Sequence, residues 1–198
     1  MSTATPATEI TRLLTAWKDG DRSIENELAA RIYPILHKLS RAQVRRNGEA
    51  LTMAPTELAN EAYERLYQQR AVDWQSRDHF FAIASTVIRR VVIDYVRQRT
   101  AEKRGSGVKL IRLDDASCDE LASETNDDNI DWLALNRALS ELGEVDTECA
   151  KIVEMRLFSG LTVEQIATVC QSSTATVGRQ WRFARAWLSE RLASHHER

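Results

Sequence analysis

Glycine and proline are scarce, at 7 and 3 in 198 residues. A β-sandwich or barrel spends such residues at every hairpin, so that class is excluded. No apolar run approaches the ~20 residues needed to cross a bilayer. The N-terminal stretch MSTATPATEI has neither a basic n-region nor an apolar h-region, which argues against a secretory signal and against a membrane partner. Cysteine is sparse too. Cys118, Cys149 and Cys170 are odd in number, widely separated, and form no CxxC pair and no ligand-spaced cluster with histidine. Neither disulfides nor a metal site is expected, and a reduced cytoplasm is the natural compartment. There is no phosphate loop, no pair of carboxylates in a Gly-rich setting and no nucleophile–base constellation. The expectation is a protein that is not an enzyme and takes no cofactor.

A large net charge is also missing, the sum being −2. The distribution is uneven: residues 31–100 carry +5, 101–112 carry +3, 113–148 carry −11 and 149–198 carry +3. Basic blocks flanking an acidic one are an electrostatic footprint for nucleic acid, with a solvated face as the plainer reading. The acids of 113–148 read most simply as a solvated linker. A sharper reading has them shield basic DNA-binding faces.

What is present is helical periodicity. Ile10, Leu13, Leu14 and Trp17 follow i, i+3, i+4, i+7, and Gly20 stops the run. Residues 23–46 repeat the pattern through Ile24, Leu28, Ile32, Ile35, Leu36 and Leu39, with Pro34 a bend. A third helix starts near Thr52, tolerates Pro55 in its first turn, and buries Leu58, Ala62 and Leu66. Gln69 to Asp78 reads as a loop. Residues 79–99 predict a long helix with the stripe Phe80, Ile83, Ala84, Val87, Val91 and arginines toward its end. The Gly-, Ser- and acid-rich stretch after Gly105 has the composition of a linker. Helical pattern resumes at Ile130. The fold class is all-α: two helical domains, about 10–104 and 130–193, joined by a flexible acidic linker over 105–129.

The most specific local signal is residues 161–188, LTVEQIATVCQSSTATVGRQWRFARAWL. Thr162 and Gln165 have capping-box spacing. The short helix buries Val163, Ile166 and Ala167, Gln171 and Ser172 make the turn, and Ser173 caps the next helix. Val177 and Trp181 face inward, with Phe183, Ala184 and Leu188 on adjoining inner positions. The opposite side offers Thr174, Thr176, Arg179, Gln180, Arg182 and Arg185. Hydroxyl, amide and guanidinium groups read base edges and phosphates in a major groove, so a DNA-reading helix-turn-helix is the functional reading and a plain αα-hairpin the bland one. Gly178, mid-helix, costs ~1 kcal/mol relative to alanine.

With both halves in view, the chain resembles bacterial sigma-70-family initiation factors of the extracytoplasmic-function (ECF) type. NRALSEL at 136–142, VEMRLFSGL at 153–161 and the helix-turn-helix are similar to region 4. ELANEAYERLY at 57–67 is similar to region 2.2, and the stretch from HFFAIA at 79–84 to RRVVIDYVR at 89–97 to regions 2.3 and 2.4. The resemblance implies a promoter-directing factor whose partners are core RNA polymerase, through its clamp helices and flap, and promoter DNA. It places Thr174, Thr176, Arg179, Gln180 and Arg182 over the −35 element. It places Arg89, Arg90, Arg97 and Arg99 on the helix that meets −10 DNA. A loop over 69–80 would trap an unstacked base, with Trp74, Gln75, Arg77 and His79 as candidate contacts. Glu57, Asn60, Glu61 and Glu64 fall on the polymerase-binding helix. The rival is a conventional helix-turn-helix regulator with an N-terminal sensing or dimerisation domain.

One departure from the family pattern is informative. The region 2.2 helix usually opens with several acids, whereas here the stretch is Ala54, Pro55, Thr56, Glu57. Phosphorylation of Thr56 would add roughly −1.5 to −2 charges at a helix N-terminus, where the dipole favours them. Thr56 is therefore a candidate regulatory phosphosite and a Ser/Thr protein kinase a candidate partner, with a simple helix cap as the alternative. Gln171 and Gly178 also depart from the pattern, standing where Gly and a basic residue are common.

Overall fold

The computed structural model describes residues 6–47, 51–69, 76–102 and 131–194, and within them every regular element is helical. Helix α1 (Pro6–Lys18) buries Ile10, Leu13, Leu14 and Trp17, as their spacing requires. It ends at Gly20, φ +93°, where the Gly20 N–H reaches the Trp17 carbonyl and the Asp21 N–H the Ala16 carbonyl. This is the Schellman pairing that a left-handed residue permits. A 3₁₀ turn (Arg22–Ile24) leads into α2 (Glu25–Asn47), which continues past Pro34. Leu28, Ile32 and Leu36 form its buried ridge, four residues apart. Helix α3 (Pro55–Gln68) buries Leu58, Ala59, Ala62 and Leu66. Helix α4 (Arg77–Glu102) opens on Ser76, whose Oγ accepts the His79 N–H at 3.0 Å. Arg77 and Asp78 thus belong to the helix rather than to the expected loop. Residues 70–75 and the expected linker, 105–129, lie outside the described residues.

The C-terminal helices are α5 (Trp132–Val145), α6 (Thr147–Ser159), α7 (Val163–Val169) and α8 (Thr174–Ser194). Asp131 caps α5 by accepting the Leu133 and Ala134 N–H groups at 3.0 and 2.9 Å. Gly160, φ +61°, ends α6. Trp132 packs edge-on to Phe158, centroids 5.6 Å apart. Helix α4 packs on α1 and α3 on one side and on α5, α6 and α7 on the other, so the apolar core runs from one set of helices into the next. That explains why α4 buries Phe81, Ile88, Val92 and Ile93 besides Phe80, Ala84, Val87 and Val91. The expected single stripe is too narrow for it. A helix apolar on most of its circumference is covered on more than one side.

Asp146 caps α6 and carries a testable pH dependence. Its carboxylate accepts the Cys149 N–H at 2.9 Å and the Cys149 Sγ–H at 3.2 Å. These two bonds, the backbone one first, hold the Asp146 carboxyl below the usual range. Burial, with the Asp146 carboxylate adding to it, pushes the Cys149 thiol up to about 12. A thiol so placed is an inert core residue. A carboxyl depressed on folding contributes stability that is complete above its unfolded value, about 3.9, and is lost as pH falls through the folded value. Asp146→Ala should therefore cost about 1 kcal/mol at pH 7. The gap between the urea melts of the two proteins should begin to narrow as pH falls below about 3.9 and should close only when the wild-type carboxyl protonates at its lower folded value.

Candidate nucleic-acid interface

The helix-turn-helix forms as its local chemistry dictates. The Thr162 N–H reaches Gln165 Oε1 at 3.0 Å and the Gln165 N–H reaches Thr162 Oγ1 at 3.3 Å, closing the capping box of α7. Ser173 Oγ accepts the Thr176 N–H at 3.0 Å and so caps α8. Among the described residues Gln171 is the one non-glycine with positive φ, at 49°. The tight turn requires a left-handed residue there, and a Cβ makes that conformation costly by about 1–2 kcal/mol. This is the position where the family pattern commonly has glycine.

Val177, Trp181, Ala184 and Leu188 form the buried face of α8. Thr174, Arg179 and Arg182 are exposed, and Thr176, Gln180 and Arg185 are half-buried. The Thr176 hydroxyl shares a 2.9 Å hydrogen bond with Ser173 Oγ. Phe183 departs from expectation: it is 47% exposed, not an inner residue. Four residues after Arg179 and three after Gln180, it stands on the outer face with them. A Cβ added at Gly178 meets nothing within 4 Å, so internal packing does not require glycine there.

On α4, Arg90 and Arg97 are exposed. Arg99 donates to Thr52 Oγ1 at 2.9 Å, and Thr52 also shares a 2.7 Å bond with the Tyr95 hydroxyl. Arg77 lies 4.6 Å from the Phe81 ring centroid and pairs with Asp78 at 3.4 Å. Arg89 turns inward. Its side chain is 13% exposed and ion-paired with Glu154, while Nε and Nη2 donate to Asn136 Oδ1 at 3.2 and 2.9 Å. His79 lines a cavity of about 330 Å³ between α4 and α6. Trp74 and Gln75 lie outside the described residues.

On α3 the cap position belongs to Ala54, whose N–H donates to Glu57 Oε2 at 2.8 Å. Thr56 is exposed at the second helical residue. Glu57, Asn60 and Glu64 are exposed and Glu61 is half-buried. Asn60 accepts the Tyr33 hydroxyl at 2.7 Å. Arg65 bridges Glu61 and Asp94, each at 2.8 Å, and the Asp94 bond leads in raising the Arg65 pKa. The four residues thus share the outer side of one helix, with Glu57, Asn60 and Glu61 already tied to neighbours.

Residues 7–194 match the family model described as ECF sigma factor. The chain belongs to the ECF sigma factor family. No curated protein and no solved structure matches it. As an ECF sigma factor it is a transcription initiation factor that binds core RNA polymerase and directs it to promoters, in a family of non-enzymatic factors. Among the described residues no helix is long and apolar enough to cross a membrane, and no group of three or more His, Cys, Asp or Glu could hold a metal ion.

Sequence reasoning about this sigma factor missed Glu154, Asn136 and Gln43. These residues join the first four helices to the last four. Gln43 Nε2 donates to the Leu157 carbonyl at 2.7 Å, across 114 positions. The uneven charge distribution was the one available signal, and it pointed to the 113–148 block rather than to Glu154.

Proposed function

We propose that α8 reads the −35 element through Thr174, Thr176, Arg179, Gln180 and Arg182, and that α4 meets −10 DNA through Arg89, Arg90 and Arg97. Trp74 and, from the first turn of α4, Arg77 contact the unstacked base. Helix α3 docks on the polymerase clamp through Glu57, Asn60, Glu61 and Glu64, and the C-terminal helices meet the flap. Residues 10–104 and 130–193 are then the two promoter-binding units, joined by 105–129, in a non-enzymatic cytoplasmic protein. The observation that carries this reading is the outer face of α8, where Arg179 and Arg182 stand exposed just past a capped turn. One turn after Arg179, Phe183 presents an apolar edge of the kind that meets thymine methyl groups.

The proposal extends to control by a Ser/Thr kinase acting on Thr56. The threonine is exposed and one residue inside the first turn, and capping falls to Ala54 and Glu57 instead. A phosphate there adds roughly −1.5 to −2 charges where the helix dipole favours them, replacing the acids the family pattern usually has. Kinase-treated protein and Thr56→Glu should bind core polymerase roughly tenfold tighter than Thr56→Ala. Run-off transcription with purified core enzyme should follow the same order. Equal affinity and equal transcript from all three would remove the switch.

A further inference from the structure

We infer that the outer face of α2, carrying Lys38, Arg41 and Arg45, is a docking surface for the phosphate backbone of promoter DNA. This surface goes beyond the reading of α4 and α8, to which no residue of α2 belongs. The charge map is the first observation. Residues 31–47 hold five cations and no acid, whereas residues 48–100 hold seven of each. The whole +5 excess of residues 31–100 therefore lies on α2, and the stretch that contains α3 and most of α4 is neutral.

Lys38, Arg41 and Arg45 recur at intervals of three and four, so they share one side of the helix. That side is opposite the buried ridge of Leu28, Ile32 and Leu36, and all three cations are exposed. Nearer the start of α2 the charges are neutralised from α1. Arg31 pairs with Glu9 at 2.9 Å, and Glu27 with Arg12 at 3.7 Å. Among the described residues no acid pairs with Lys38, Arg41 or Arg45. Like charges three and four apart on a helix repel one another, and an anionic partner relieves that repulsion.

Sign and position select DNA as the occupant. Helix α3, proposed to dock on the polymerase, offers Glu57, Glu61 and Glu64. A protein surface that suits those acids does not suit the stripe on α2. From Lys38 to Arg45 the helix rises about 10.5 Å. That is the span of about three phosphates on one strand, at ~3.4 Å of axis each. Cations alone position a duplex without reading its sequence. The stripe also ends near the −10 helix. Asn47 closes α2, and by Thr52 the chain has met Arg99, in the last turn of α4, at 2.9 Å. Five residues span at most about 18 Å, so one duplex can touch the end of α2 and the end of α4 together.

Promoter binding by the holoenzyme across salt concentrations tests the surface, with the triple variant Lys38→Gln, Arg41→Gln, Arg45→Gln. Its slope of log affinity against log salt should be shallower than that of wild type by about 2–3, since each phosphate contact contributes ~0.9. Affinity at 0.1 M salt should fall more than about tenfold, for promoter and non-promoter DNA alike. Ethylation interference should lose a cluster of about three neighbouring phosphates beside the −10 element. Arg41→Lys with Arg45→Lys should keep the wild-type slope, because a backbone contact needs the charge and not the planar fork. Core-polymerase affinity, helical circular dichroism and preference among −35 single-base variants should stay as in wild type. A wild-type slope in the glutamine variant overturns the proposal, whether core binding is intact, which leaves a solvated face, or weakened, which assigns the stripe to an acidic protein surface. A wild-type holoenzyme with no preference among −35 variants would instead sink the reading of α8. A shallower slope in the glutamine variant would then still leave the α2 surface standing.

Discussion

Trp181→Ala should cost about 3–5 kcal/mol, the range for emptying a core site of its largest side chain. Trp181 is 4% exposed on the inner face of α8, in line with Val177 and Ala184, both fully buried. The Arg156 guanidinium of α6 lies 5.5 Å from its ring centroid and also donates to the Leu161 carbonyl at 3.0 Å. The indole therefore joins α6, the turn before α7, and α8 at one point. Alanine removes the ring that fills this junction and the π-face against which the cation rests. Total stability of a domain is about 5–15 kcal/mol, so the loss is a large part of it. The urea midpoint followed by circular dichroism should fall accordingly. Phe183→Ala, two residues on, should change it by no more than about 1 kcal/mol because the ring is already about half in water. Equal shifts for the two variants would mean that α8 packs through another face.

That contrast marks how far the sequence was legible. Capping and periodicity are local, so Thr162 with Gln165, Ser173 before α8, and the Ile10–Leu13–Leu14–Trp17 face could be read directly. Phe183 could not. An aromatic next to Ala184 looks like core until the 100° step per residue places it with Arg179 and Gln180 instead of with Val177 and Trp181. The width of burial on α4 was hidden for a different reason. A stripe such as Phe80, Ala84, Val87, Val91 describes one contact face, and the second is imposed by helices more than 40 residues later in the chain.

The Arg89–Glu154 pair shows the same limit at the level of function. Its partners are 65 positions apart, and no period links them. From the chain alone Arg89 is one of a run of arginines suited to DNA, and Glu154 one acid inside a family motif. Only the packing of α6 on α4 brings a carboxylate to that guanidinium. Family resemblance assigns Arg89 by its place in the arginine run and says nothing of its pairing with Glu154. Gln171 is intermediate. Its departure from the common glycine was visible, and the positive φ supplies the physical reason that the departure is costly.

Arg179→Ala should lower promoter affinity of the polymerase holoenzyme about tenfold to hundredfold while leaving the protein's stability within about 0.5 kcal/mol of wild type. The first figure follows from the ~1–3 kcal/mol that a bidentate side-chain contact to a base is worth. The second follows because Arg179 is exposed and opposite the Val177–Trp181 face. Two further measurements separate base reading from phosphate binding. A phosphate contact would lower the slope of log affinity against log salt by about one when removed and would weaken all sequences alike. A base contact leaves that slope in place and relaxes sequence preference at one −35 position. Arg179→Lys keeps the charge and loses the planar fork, so it should restore affinity for a phosphate partner and fail to restore sequence preference for a base partner. Binding of wild-type, alanine and lysine holoenzymes to promoters with single −35 substitutions, at two salt concentrations, reads all three quantities. Wild-type affinity and preference in the alanine variant would remove Arg179 from the reading face.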